Sequence, residues 1–176
     1  MGMERREGFL PIYLDTRQGH ILLELPRDST RALLMISQAT GLGSNPIGID
    51  RGASGETHVA RFDRDGDRVL VVLENWAYRT TNGNPDHART VAALPVLADE
   101  EGKLLVDGTD LALRDWNDVV GTLARSQQGA YTVARDRSSI YRPNTKAFPD
   151  NTEIDVLLTF AATARAGGTV ESIVPD

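Results

Sequence analysis

The sequence predicts an α+β fold: strand-rich, with a mainly antiparallel sheet built from hairpins, one substantial helix at about 115–125 and a short one at about 85–93. Three observations carry this. From Phe9 to Asn75 apolar residues recur with a period of two, the spacing of half-buried strands. Residues that suit tight turns, such as Asp65-Gly66, punctuate those runs. Only Trp116, Val119, Val120 and Leu123 keep the i, i+3, i+4, i+7 spacing of a long amphipathic helix.

Taken in order, residues 1–7 are a charged arm, with Met1-Gly2-Met3 reading as a start joined to a natural chain, and 8–176 are one domain. Phe9–Leu14 and His20–Leu25 form a hairpin around Asp15 and Gly19. Arg31–Gln38 fits a helix or a buried strand by pattern; Pro26 upstream and the glycine-rich loop downstream limit it to strand length. Thr57–Phe62 and Val69–Leu73 make the clearest hairpin, because Asp-Gly adopts the positive backbone angles of a primed turn. Asn84-Pro85-Asp86 supplies a cap, a first-turn proline and an early acid, hence the short helix, which stops before Pro95. Val96–Ala98 and Leu104–Val106 pair around Asp99–Gly102, and Asp115 caps the long helix. Tyr131–Val133, Ile154–Phe160 and Thr169–Val174 return to strand.

Composition narrows the function classes. Forty per cent hydrophobic residues and 16 glycines suit a globular chain, and 176 residues bury a core without staples. No cysteine means no thiolate metal site or cysteine nucleophile. Nineteen basic against 25 acidic residues, a net charge of −6, disfavour nucleic-acid binding, which works by neutralising phosphates. No run approaches the apolar length of a membrane span, and no signal peptide opens the chain.

The most unusual stretch is Thr40–Gly55, which holds five glycines. Its spacing is not that of a phosphate-cradling loop, and a strand rather than a helix follows. A long ordered loop remains, and such loops are often functional; Gly41, Gly43, Ser44, Asn45, Gly48, Asp50 and Arg51 are its candidate contact residues. Ser54 lacks the glycine pattern of a nucleophile elbow. His20, His58 and His87 show no metal-ligand spacing, and Asp63–Asp67 reads as a turn rather than a calcium loop. Asp107 and Asp110 form a secondary acidic candidate, and Trp76, Tyr78 and Arg79 read as a strand-end group.

Several blocks carry a resemblance. They are Gly8–Asp15, the stretch from Ala39 through Asn45 and Gly48–Gly52, Leu105–Asp110 with Leu113-Arg114-Asp115, and Lys146–Glu153. On these the chain resembles the N-terminal region of a family of large bacterial zinc-dependent metalloproteases. The stretch between Pro85 and Pro95 is shorter than the family pattern. The resemblance adds Lys146 as a secondary candidate and implies a catalytic His-Glu-x-x-His helix downstream, a motif absent from these residues.

The expectation is therefore a non-catalytic module with no cofactor of its own, zinc belonging to the parent family's catalytic domain. Its partners would be that catalytic domain and a peptide substrate, and the parent would be periplasmic or secreted. The rivals are a stand-alone hydrolase using Ser54 or the Asp107/Asp110 pair, and a small-ligand or carbohydrate-binding module using Trp76, Tyr78 and the glycine-rich loop.

Overall fold

The computed structural model describes residues 2–40, 47–76, 88–163 and 172–173. Eight strands come first or nearly so: β1 (Met3–Arg6), β2 (Ile12–Asp15), β3 (Ile21–Pro26), β4 (Thr30–Leu34), β5 (His58–Asp65), β6 (Arg68–Glu74), β7 (Arg89–Glu100) and β8 (Lys103–Asp107). They form one curled antiparallel sheet in the order β1-β2-β3-β8-β7-β6-β5-β4. Met3–Arg6, expected within the charged arm, is thus an edge strand.

The hairpins arise where local chemistry closes them. After β2, Asp15 Oδ1 accepts the N–H groups of Arg17 and Gln18 at 2.8 and 3.0 Å, and these bonds hold its carboxyl below the usual range. β5 and β6 join through Gly66-Asp67, with Gly66 at φ 63°. β7 and β8 join through Glu101-Gly102, with φ of 51° and 78°, the two positive angles of a type I′ turn. Strand alternation then buries one face: Ile12 opposes Leu23, Leu14 opposes Ile21, and Leu25 opposes Leu104, all nearly free of solvent. Phe62 opposite Val71 and Val69 opposite Leu94 extend that core. Each such side chain contributes roughly 1.5–3 kcal/mol.

β7 is shared. Arg89–Pro95 pair with β6 and Val96–Glu100 with β8, with register shifts at Val71/Val72 and Val96/Ala98. Pro95, which has no N–H to donate, sits at the handover. On the face carrying Leu104, Asp99 accepts hydrogen bonds from both Arg27, just after β3, and Arg64 on β5. This ion trio ties the two halves of the curled sheet.

Two helices, α1 (Thr109–Ala112) and α2 (Val119–Arg125), are found among the described residues, so the α+β expectation is corrected to a mostly β fold. The helix expected at 85–93 is corrected too: 85–87 lie outside the described residues, and from Arg89 the chain is β7. Cap-like Asn84-Pro85-Asp86 signals a helix start only if the following residues stay local; here Val71 and Leu73 take them as ladder partners. The helix expected from 115 begins at Val119. The N-cap position is taken by Asp118, at a left-handed φ of 50° and with no side-chain cap bond, while Asp115, three residues upstream, accepts the N–H groups of Val119 and Val120 at 2.9 Å each.

The remaining strands are short: β9 (Tyr131–Val133), β10 (Ser139–Ile140), β11 (Lys146–Ala147), β12 (Thr152–Glu153), β13 (Val156–Leu157), β14 (Phe160–Ala162) and β15 (Ser172–Ile173). β10 pairs with β13, β11 with β12, and β14 lies between β15 and β9. The single strand expected at Ile154–Phe160 is two, because hydroxyls intercept the backbone. Thr159 N–H donates to Ser138 Oγ at 3.0 Å, and Asp155 N–H donates to Thr145 Oγ1 at 3.1 Å.

The chain divides into two compact units. The first comprises Met1–Leu34, Thr57–Leu111 and Lys146–Glu153, and holds the eight-stranded sheet with the β11–β12 hairpin. The second comprises Met35–Glu56, Ala112–Thr145 and Ile154–Asp176; Leu113, Val119, Leu123, Tyr131, Ile140 and Phe160 are its buried centre.

Candidate contact surface

Two chain segments far apart in sequence meet in the first unit. The β11–β12 hairpin pairs Lys146 with Glu153 and Ala147 with Thr152, and Phe148 N–H donates to Asn151 O at 2.7 Å to close its tip. Gly8-Phe9-Leu10 docks against it. Phe9 N–H donates to Phe148 O at 2.7 Å, while Thr152 Oγ1 donates to Leu10 O at 2.8 Å and accepts Leu10 N–H at 3.1 Å. A Cβ on Gly8 would lie 2.6–2.7 Å from Ala147 Cβ, Ala147 C and Phe148 N, so only glycine permits this approach. The backbone is thus fixed from both sides, yet Phe9 and Phe148 remain 46% and 40% exposed. Two large rings are thus partly exposed on backbone held by hydrogen bonds, a candidate contact surface.

Neither phenylalanine was among the sequence candidates. The signal available was the repeated placement of a ring beside proline, in Phe9-Leu10-Pro11 and Phe148-Pro149, next to the glycine that allows the approach.

The sequence candidates fall elsewhere. Gly41, Gly43, Ser44 and Asn45 lie outside the described residues. Gly48, Asp50 and Arg51 belong to the second unit, where an antiparallel stub closes the loop: Gln38 N–H donates to Ala53 O at 2.9 Å, Gly52 N–H to Gln38 O at 2.7 Å, and Gly55 N–H to Ile36 O at 2.9 Å. Ile49 is buried beneath it, with Asp50 and Arg51 exposed. Ser54 is exposed within this stub, bridged to Ser37.

Asp107 is engaged as a cap. Its Oδ1 accepts Thr109 N–H at 2.9 Å and its Oδ2 lies 3.3 Å from His20 Nδ1; Asp110 follows in the first turn of α1. Lys146 is an exposed strand residue opposite Glu153. Trp76 is 69% exposed, its Nε1–H donating to Glu74 Oε2 at 3.1 Å, while Tyr78, Arg79 and His87 lie outside the described residues. Among the described residues no three His, Asp or Glu side chains gather into a group able to hold a metal ion, and no helix is long and apolar enough to cross a membrane.

An open groove of about 470 Å³ runs over the outer face of the β2–β3–β8 region, lined by Arg5, Tyr13, Glu24, Ala98, Lys103 and Leu105 among others. Glu24 is its hub. It accepts the Tyr13 hydroxyl at 2.7 Å and Lys103 Nζ, with Arg5 Nη2 at 3.5 Å. Burial pushes the Glu24 carboxyl up, but the bonds from Lys103 and Tyr13 outweigh it and hold it low. The same bond to Glu24, then burial, raises the Tyr13 hydroxyl. The Arg5 guanidinium lies 5.4 Å from the Tyr13 ring centroid, so the groove is lined by a mutually bonded polar network.

No curated protein and no solved structure matches this chain. Residues 52–174, from the glycine-rich loop through β15, match a family described as a domain of unknown function. The match takes in most of the chain, including the Lys146–Glu153 hairpin that carries Phe148, and the protein belongs to this family, DUF5117.

Proposed function

We propose that the chain is a non-catalytic, N-terminal module of a zinc-dependent metalloprotease, which packs on the catalytic domain of the same polypeptide and helps present substrate to it. The observation that carries this reading is the Phe9–Phe148 surface: two of the blocks on which the metalloprotease resemblance rests, Gly8–Asp15 and Lys146–Glu153, meet there and hold two exposed rings on a fixed backbone. A rigid aromatic pair loses little conformational entropy on docking, which favours a lasting intramolecular contact. Zinc, in this reading, belongs to the partner domain's His-Glu-x-x-His helix, and the parent enzyme is periplasmic or secreted.

The test is to mix the purified chain with the His-Glu-x-x-His domain of the same gene and measure association by calorimetry. Saturable binding is expected, weakened about tenfold or more by Phe9→Ser combined with Phe148→Ser while the melting temperature is retained. Absence of such a domain from the gene, no association, or stoichiometric zinc with peptide turnover in this chain alone would each sink the reading.

A further inference from the structure

The two ends of the eight-stranded sheet are built differently. At the β1 edge, apart from Met3, the side chains are charged and tied to one another or to a neighbour: Arg6 to Glu4 at 2.7 Å, Arg5 to Glu7 at 2.7 Å and to Glu24 at 3.5 Å. A fringe of charge is how natural sheets discourage a further strand. The β4 edge lacks it. Its one charged residue, Arg31, is drawn back across β5, its Nε 2.8 Å from Glu74 Oε1, and Leu33 stands 70% exposed. Among the described residues nothing pairs with the outer side of Thr30–Leu34.

Unpaired N–H and C=O groups in strand spacing specify their occupant: an extended chain. The side chains specify more. Arg31 and Leu33 are two residues apart and share the solvent face of β4, since Ala32 lies on the face of Ala60 in the core. Arg31 and Arg61 are direct cross-strand neighbours that share Glu74; Asp63 hydrogen-bonds Arg61 and also feels the charge of Arg31. The Arg31 side chain is 61% exposed while its Nε lies 2.8 Å from Glu74 Oε1, so a largely exposed cation with five donors stands beside the open edge.

We propose that the open edge of β4 binds an extended peptide by strand addition, recognising a carboxylate side chain at Arg31 and an apolar side chain two residues away at Leu33. The site stands on the sheet alone, whichever catalytic domain the chain serves.

The experiment uses the full chain and a labelled peptide of roughly eight residues, alternating valine and threonine with a single glutamate. Saturable anisotropy is expected, with slowed amide exchange confined to β4. Arg31→Glu, or lysine for glutamate in the peptide, should weaken binding about tenfold, and combining the two should restore it. Leu33→Lys should weaken it similarly, and N-methylation of alternate peptide amides should abolish it. Both substituted side chains are exposed, and unchanged melting temperatures would verify that the fold is intact. No binding up to about 1 mM peptide, no rescue by the charge swap, protection at β1 instead of β4, or a homodimer that occupies β4 would overturn the proposal.

Discussion

Thr145 has no exposed surface, and its hydroxyl does the work of a missing strand partner. Oγ1 lies 3.0 Å from Tyr141 O and 3.2 Å from Asp155 O, and it accepts the Asp155 N–H at 3.1 Å. Thr145→Val keeps the shape but takes the acceptor from the Asp155 N–H, while Tyr141 O and Asp155 O keep the N–H groups of Thr145 and Tyr141. Stability should fall by about 1–3 kcal/mol, read as a lower urea midpoint at unchanged slope. Thr145→Ser, which keeps the hydroxyl, should recover most of it. Thr152 and Thr159 act alike, the first on Leu10 and the second on Arg137 O at 2.8 Å. None of this was legible in the sequence, where Thr145 and Thr152 sit among polar residues, Thr159 reads as strand, and nothing reveals that a hydroxyl will replace the ladder.

At the scale of elements, the hairpins were legible because a period of two and a turn residue are both local properties. The Val96–Ala98 and Leu104–Val106 pair was expected around Asp99–Gly102, and β7 and β8 turn there. The turn is imperfect in one respect: Glu101 occupies a left-handed φ of 51°, a conformation that asparagine tolerates better. Glu101→Asn should therefore stabilise the chain by up to about 1 kcal/mol, measured as a higher melting temperature. Helices were less legible. Asp115 does bind the first helical N–H groups, yet the helical spacing that includes Trp116 does not reveal the turn at 115–118 that makes Asp118 the N-cap and delays the start to Val119. The start of β7 reads as a helix because Asn84-Pro85-Asp86 are local start signals; its pairing with β6 is a non-local fact.

For the whole molecule, sheet order was the least legible feature, since β3 pairs with β8 across a long stretch of chain that no local pattern encodes. The candidate surface follows the same rule. Each half of it was visible as a block of sequence, but the contact between Phe9 and Phe148 depends on the fold. The Arg27–Asp99–Arg64 trio is a whole-sheet device, and its pH response follows from the shift of Asp99. Hydrogen bonds from Arg27, then Arg64, hold that carboxyl below its ordinary value of 3.8 in the folded protein. The unfolded chain therefore takes up the proton first as the pH falls. The stabilisation is fully present above the unfolded value and is lost as the pH drops through the folded one. Asp99→Asn should remove this component, so the variant's urea midpoint should fall less steeply than the parent's below about pH 4, and added salt should narrow the gap.

The shared strand β7 has a consequence for tolerance to change in chain length. Its pairing is set from the far end, by the two-residue turn at Glu101-Gly102 and by Pro95 opposite Arg68. A residue inserted within Glu101-Gly102 would therefore shift β8 against β7 by one position and turn Leu104 and Val106 off the buried face.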